Sequence, residues 1–257
     1  MTVLVHIAHS KSGRHRDGEK VIRTFYQQEY HVAEGNEIMS NAVNEQTWKE
    51  ILQLFENGNN RINVLSADPV RGKNTGAILQ VSERSYIGAI ARRSGGVLVD
   101  GGWIKLLGSG NDAVFGDLLS WNGFGDDIGI MPLHGACMIA YDLAGGFFAL
   151  NGGCFESEGN HVYYFAPDTL EWEDTELLYS DFCEWLANGD LALFYRTFRW
   201  NDWENDIAAL KRNEAISYFP PLWTEEGSAE HSSRKAAPVA ELWNSYIQSR
   251  NGMESEQ

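Results

Sequence analysis

The chain has 257 residues, the length of one large domain or two small ones. Hydrophobic residues make up 43% and charged residues 22%, a balance that excludes an intrinsically disordered chain. Twenty basic side chains stand against 36 acidic ones, a net charge of −16. That argues against binding nucleic acid, because neutralising phosphates needs an excess of Lys and Arg, and it suits a basic protein partner.

No apolar run approaches the ~18 residues a membrane helix needs, so no membrane partner is expected. The run over residues 2–9 is too short for a signal-peptide core, and no basic residue precedes it. Cys137, Cys154 and Cys183 are odd in number and lack Cys-x-x-Cys spacing. Neither a disulfide framework nor a zinc ribbon is encoded, and a reduced, cytoplasmic protein is expected.

Residues 1–38 hold five basic and five acidic residues, four of the seven His and no Trp, so the whole net charge falls on residues 39–257. They read as an N-terminal arm, or as an extension upstream of a natural start at Met39; the alternative is an edge strand plus helix docked on the domain. Trp48, Ile51, Leu52 and Phe55 sit at i, i+3, i+4 and i+7 and predict a helix stopped by Gly58. Residues 76–107 read as strands: 77–81, 86–91, 97–99 and 103–107. The last two flank the turn Asp100-Gly101-Gly102. Residues 108–136 are rich in glycine and acids and show no period. They predict a long loop with Trp121 and Asn122 in its middle.

Strands over 137–141 and 146–150 turn through Asp142 to Gly145, and 161–165 and 170–173 turn through Pro167-Asp168. The last third is predicted helical. Ser180 or Asp181 caps a helix carrying Phe182, Trp185 and Leu186, stopped by Asn188-Gly189. Asp190 caps the next, with Leu191, Phe194, Tyr195 and Phe198, and Asp202 opens a third around Trp203, Ile207 and Leu210. Residues 216–223 look extended, with Pro220-Pro221 barring them from a sheet interior. Pro238 introduces a helix with Val239, Leu242, Trp243, Tyr246 and Ile247 on one face. A frayed tail is expected over 249–257. The sum is a single α+β domain over 39–248, whose antiparallel or mixed twisted sheet of about six strands has its helices segregated to one side. Strands and helices do not alternate, so Rossmann and barrel folds are excluded.

Asp126, Asp127, His134 and Cys137 come nearest to a catalytic cluster. A cysteine nucleophile needs a base and an electropositive setting; Cys137 opens an apolar strand among acids and reads as structural. Asp126, Asp127 and Asp142 with His134 lack calcium-loop spacing and read as a solvated acidic loop. Gly95-Gly96, Gly101-Gly102 and Gly108-Ser109-Gly110 separate strands instead of leading into a helix, so they read as turns rather than a phosphate cradle. His6, His9 and His15 lack supporting acids. No catalytic residue, metal or cofactor is expected. Trp121 lies in a polar, glycine-bordered loop. With Asn122, Asp126, Asp127 and Asp142 it makes the candidate partner-binding set, an aromatic anchor among acids. The alternative is that Trp121 plugs the loop into the core.

Three runs carry a resemblance: Gly96-Val97-Leu98-Val99-Asp100-Gly101-Gly102-Trp103-Ile104 with Leu107-Gly108-Ser109-Gly110; Gly145-Gly146-Phe147-Phe148-Ala149-Leu150-Asn151-Gly152-Gly153; and Val162-Tyr163-Tyr164-Phe165-Ala166-Pro167-Asp168-Thr169-Leu170-Glu171-Trp172. Together they resemble an uncharacterised bacterial domain-of-unknown-function family over about Asn44 to Tyr246, leaving out residues 1–38. The order of segments is also similar to the SUKH superfamily of Smi/Knr-like immunity proteins. It shows a strand ending at Asp142, Gly145-Gly146, an aromatic strand to Leu150, the run from Val162 to Trp172, and a helix with Phe182 and Leu186. That resemblance implies binding without catalysis, often of nuclease toxins, and carries over no catalytic residue. The expected function is therefore a non-enzymatic acidic protein-binding domain, of the immunity type that neutralises a basic toxin. The alternative is a small-molecule or metal-dependent enzyme using the 108–136 loop, with His134 and Asp126 or Asp127. A third is a homo-oligomeric structural protein.

Overall fold

The structure is a computed structural model in which residues 37–156 and 159–255 are described. The arm expected over residues 1–38, with its four histidines, lies outside the described residues up to Asn36.

The first described element is α1 (Glu37–Asn57), whose Ile51 and Phe55 enter the core. Next come β1 (Ile62–Ser66), α2 (Pro69–Ile78) and α3 (Tyr86–Arg93). The expectation of strands at 77–81 and 86–91 is wrong, and local chemistry gives the reason. The Asp68 side chain accepts from the N–H groups of Val70 and Arg71, both at 2.9 Å, and Pro69 fills the first helical position. Ser85 caps α3 by accepting from Gly88 N, and Arg92 and Arg93 lie at its carbonyl end. A short apolar run alone does not separate a buried strand from a helix face.

The sheet continues with β2 (Ser94–Val99), β3 (Ile104–Leu107), β4 (Ala136–Asp142), β5 (Phe147–Asn151), β6 (Val162–Ala166) and β7 (Glu171–Leu177). All seven strands lie in chain order, each antiparallel to the next. The sheet has seven strands where about six were expected: two of the eight runs read as strands fall in the segment of α2 and α3, and β1 was not anticipated. The β2–β3 turn is the predicted Asp100-Gly101-Gly102, with both glycines at positive φ.

Registers define the two faces. Lys105 lies opposite Tyr141, Tyr141 opposite Phe147, Phe147 opposite Phe165, and Phe165 opposite Trp172. Phe147 and Phe148 are consecutive and therefore point to opposite faces. Phe147 meets Trp243 of α7 (Val239–Ser255) with ring centroids 4.8 Å apart. Phe148 meets Phe182 of α4 (Tyr179–Asn188) at 5.0 Å. Helices thus cover both faces, not one. This is why β4, β5 and β6 are apolar almost without alternation.

Helix α4 starts after Leu178, without a side-chain cap from Ser180 or Asp181. Asp190 does cap α5 (Leu191–Phe194), accepting from Leu193 N at 2.8 Å, but that helix is one turn long and stops short of Phe198. Asp202 precedes α6 (Trp203–Ala208) in a left-handed conformation and makes no cap bond. The extended segment ahead of Pro220 is β8 (Glu214–Phe219), which pairs with β9 (Ser233–Pro238) in a separate two-stranded sheet. Helix α7 runs to Ser255, so residues 249–255 extend a helix where a frayed tail was expected. Among the described residues no helix is long and apolar enough to cross a membrane.

Candidate functional site: the β3–β4 loop

The loop from Gly108 to Gly135 carries most of the predicted binding set, and the structure divides that set. Trp121 is 1% exposed, its ring stacked on Tyr141 at 5.4 Å and its Nε1 donating to Phe115 O at 2.9 Å. It is a plug that ties the loop to the sheet, not an anchor offered to a partner. A buried indole with a satisfied N–H contributes far more here than in water. Asn122 fastens the same point. Its Nδ2 donates to Leu118 O and Met138 O, at 2.8 and 2.9 Å, and its Oδ1 accepts from Met138 N at 2.7 Å.

Asp142 is removed from any docking face, being 0% exposed. Its Oδ1 accepts from Ala144 N and Gly146 N at 2.9 and 2.8 Å, and its Oδ2 from the hydroxyls of Tyr164 and Tyr195 at 2.9 and 3.1 Å. Burial pushes its carboxyl pKa above the usual range, and these four donors pull the other way. The close approach explains Gly146: a Cβ there would lie 2.2 Å from the Tyr164 hydroxyl oxygen. Asp142 is thus the internal knot of the β4–β5 turn.

Asp126, Asp127 and His134 remain exposed. Burial pushes the Cys137 thiol up to about 12, far from a reactive thiolate. Among the described residues no group of three or more His, Cys, Asp or Glu side chains is placed to hold a metal ion.

What the fold does assemble is an arc over residues 123–131. Trp121 and Asn122 hold one end. At the other, Trp243 Nε1 donates to Met131 O at 2.7 Å, while Asn244 donates to Gly129 O and accepts from Met131 N, at 2.7 and 3.0 Å. Asp127 accepts from Gly129 N within the arc. Phe124 is 42% exposed and Met131 40%, on the same stretch as the exposed Asp126 and Asp127. Neither Phe124 nor Met131 was singled out from sequence. The available signal was Phe124 itself, an aromatic residue set between Gly123 and Gly125 and followed by two acids.

A second polar cluster is ion-paired within the chain. Arg199 lies over the rings of Trp203, Trp103 and Tyr195, at 4.1, 4.8 and 5.0 Å, and pairs with Asp100 at 2.6 Å. Arg61 pairs with Asp100 and Glu204. These contacts fasten the β2–β3 turn to the segment between α5 and α6.

Residues 37–242 match a family described as "Protein of unknown function DUF2625". The chain is 36% identical over 212 residues to the uncharacterized protein YbfG of Escherichia coli (strain K12), covering 82% of this chain and 95% of that protein. It is 30% identical over 178 residues to an uncharacterized protein of Haemophilus influenzae (strain ATCC 51907 / DSM 11121 / KW20 / Rd), covering 68% of this chain and 77% of that protein. No solved structure matches the chain.

Proposed function

The chain belongs to the DUF2625 family, and we propose that it is a non-enzymatic, acidic binding domain whose β3–β4 loop docks a basic protein. The observation that carries this reading is the arc over 123–131, where exposed Phe124 and Met131 stand with exposed Asp126 and Asp127 on backbone fixed at both ends. Aromatic residues and Met are enriched at interface cores. A surface ordered in advance loses little entropy on docking, and acids around it speed encounter with a basic partner. The net charge of −16 supports the same sign of partner.

The finer part of the proposal is an immunity-type role, the neutralisation of a basic toxin, supported by the SUKH-like order of segments. A reducing cytoplasmic setting accords with the three free thiols. The test is retention of basic proteins, including toxins encoded beside this chain, at low and high salt. Wild type and a variant carrying Phe124→Ala, Met131→Ala, Asp126→Asn and Asp127→Asn are compared. A basic partner held by wild type, released by salt and lost by the variant is expected. Equal retention by both sinks the loop as the docking face, and no basic partner at low salt sinks the binding role.

A further inference from the structure

Away from the loop, α1 and α4 leave between them an open cavity of about 370 Å³. Glu50, Gln53, Leu54 and Asn57 line it from α1, Glu184 and Asn188 from α4, and Tyr86 from the first turn of α3. Neither carboxylate has a basic partner among the described residues. Glu50 accepts from Gln46 Nε2 at 2.9 Å and Glu184 from Asn188 Nδ2 at 2.8 Å, so each keeps capacity for a cation. Burial and the charges of Glu50 and Glu184 together raise the Tyr86 phenol above its ordinary pKa, which places both carboxylates within electrostatic reach of that ring. Several other acids are already neutralised, Glu83 by Arg92 and Arg93, Asp100 by Arg61 and Arg199, and Asp117 by Arg71.

The fold itself shows how it seats a guanidinium: Arg199 lies over aromatic rings with Asp100 at its edge. The α1–α4 cavity repeats the ring and the carboxylate without a guanidinium of its own. Leu54 offers an apolar wall for an aliphatic stem, and the side-chain oxygens of Gln53 and Asn57 are further acceptors. We propose that this cavity receives an arginine side chain of a basic protein, its guanidinium stacked on Tyr86 and paired with Glu50 and Glu184. Arginine suits it better than lysine, because a planar fork both stacks and pairs. The inference goes beyond the loop reading and stands without it.

The experiment titrates the full chain with the peptide acetyl-Gly-Arg-Gly-Arg-Gly-amide, its lysine counterpart and free argininamide, following side-chain NMR signals. The arginine peptide is expected to shift the Tyr86 ring and the Gln53 and Asn57 amides. Glu50→Gln with Glu184→Gln should weaken it about tenfold, the loss of two partly exposed ion pairs. Glu225→Gln with Glu226→Gln, which removes the same charge at exposed sites elsewhere, should change it by less than about twofold. Tyr86→Leu, which keeps both carboxylates, should abolish the preference for arginine, and Phe124→Ala should leave binding unchanged. Equal weakening by the two glutamate pairs overturns the site. Equal binding of the lysine peptide overturns the arginine assignment, and equal binding of argininamide overturns a protein-borne side chain.

Discussion

Replacing Asp142 by Asn tests whether burial or hydrogen bonding governs the knot under the β4–β5 turn. The amide keeps the shape. Its oxygen can still accept from Ala144 N and Gly146 N, but its NH₂ then faces the hydroxyls of Tyr164 and Tyr195, which must rotate to accept. Hydrogen bonds to a charged group contribute ~1.5–3 kcal/mol each, and four of them offset much of an ionic desolvation penalty of several kcal/mol. Burial nevertheless leaves the Asp142 pKa raised, so the folded protein holds that proton more tightly than the unfolded chain. The stabilisation this gives is fully present below the ordinary carboxyl pKa of about 4 and is lost as pH climbs through the raised value, at up to about 1.4 kcal/mol per pH unit. Asp142→Asn carries no such titration. In urea denaturation across a pH series, the stability of wild type minus that of the variant should therefore decline as pH rises from about 4. A difference that grows with pH would mean that the four donors hold Asp142 below the ordinary range, and would refute the reasoning.

Trp121→Ala should cost about 3–5 kcal/mol, as a buried aromatic truncation, while Phe124→Ala should cost about 1 kcal/mol or less; equal losses in denaturant unfolding would show that the loop is not pinned through Trp121. Lys105 is 7% exposed, donates to Arg212 O at 3.3 Å with no carboxylate paired to it among the described residues, and burial pushes its pKa down to about 8. Wild type should gain up to about 3 kcal/mol between pH 8 and the ordinary lysine pKa, as the unfolded chain alone stays protonated. Lys105→Met should lack that rise and be at least as stable at neutral pH; parallel pH curves for the two proteins would contradict it. Gly146→Ala places a Cβ 2.3 Å from Asp142 Oδ2 and 2.2 Å from the Tyr164 hydroxyl, and should cost more than about 3 kcal/mol. Circular dichroism melting at the wild-type temperature would rule out the crowding described.

The central meander was legible because its strands pair period and punctuation. Residues 137–150 and 161–173 are aromatic or β-branched runs broken by Asp142 to Gly145 and by Pro167-Asp168, and turn chemistry of that kind acts locally. The runs 77–81 and 86–91 were misread because apolar content outweighed the capping signals of Asp68-Pro69 and Ser85, although both were in view. Strand β9, with Ser233, Arg234 and Lys235 at its start, has no apolar pattern, and β8 determines its pairing. At the candidate site the loop itself was readable, but which of its aromatic residues turns inward was not. Trp121 is buried because Tyr141 and Phe147, 20 or more residues later, supply the surface it covers. The cavity between α1 and α4 joins positions more than 120 residues apart, which no spacing rule connects.

The chain order of the meander leaves β7 at the outer end of the sheet, with Glu171, Glu173, Asp174 and Glu176 exposed on seven residues. Another copy laid along that border would set carboxylates against carboxylates, and like charges facing one another weaken a ladder. Glu176, at φ 59°, sits where the register with β6 slips, so the border is also bent out of line. The border is thereby guarded against sheet-to-sheet fusion. Replacing those four acids by their amides would strip away the electrostatic half of the guard and leave only the bend.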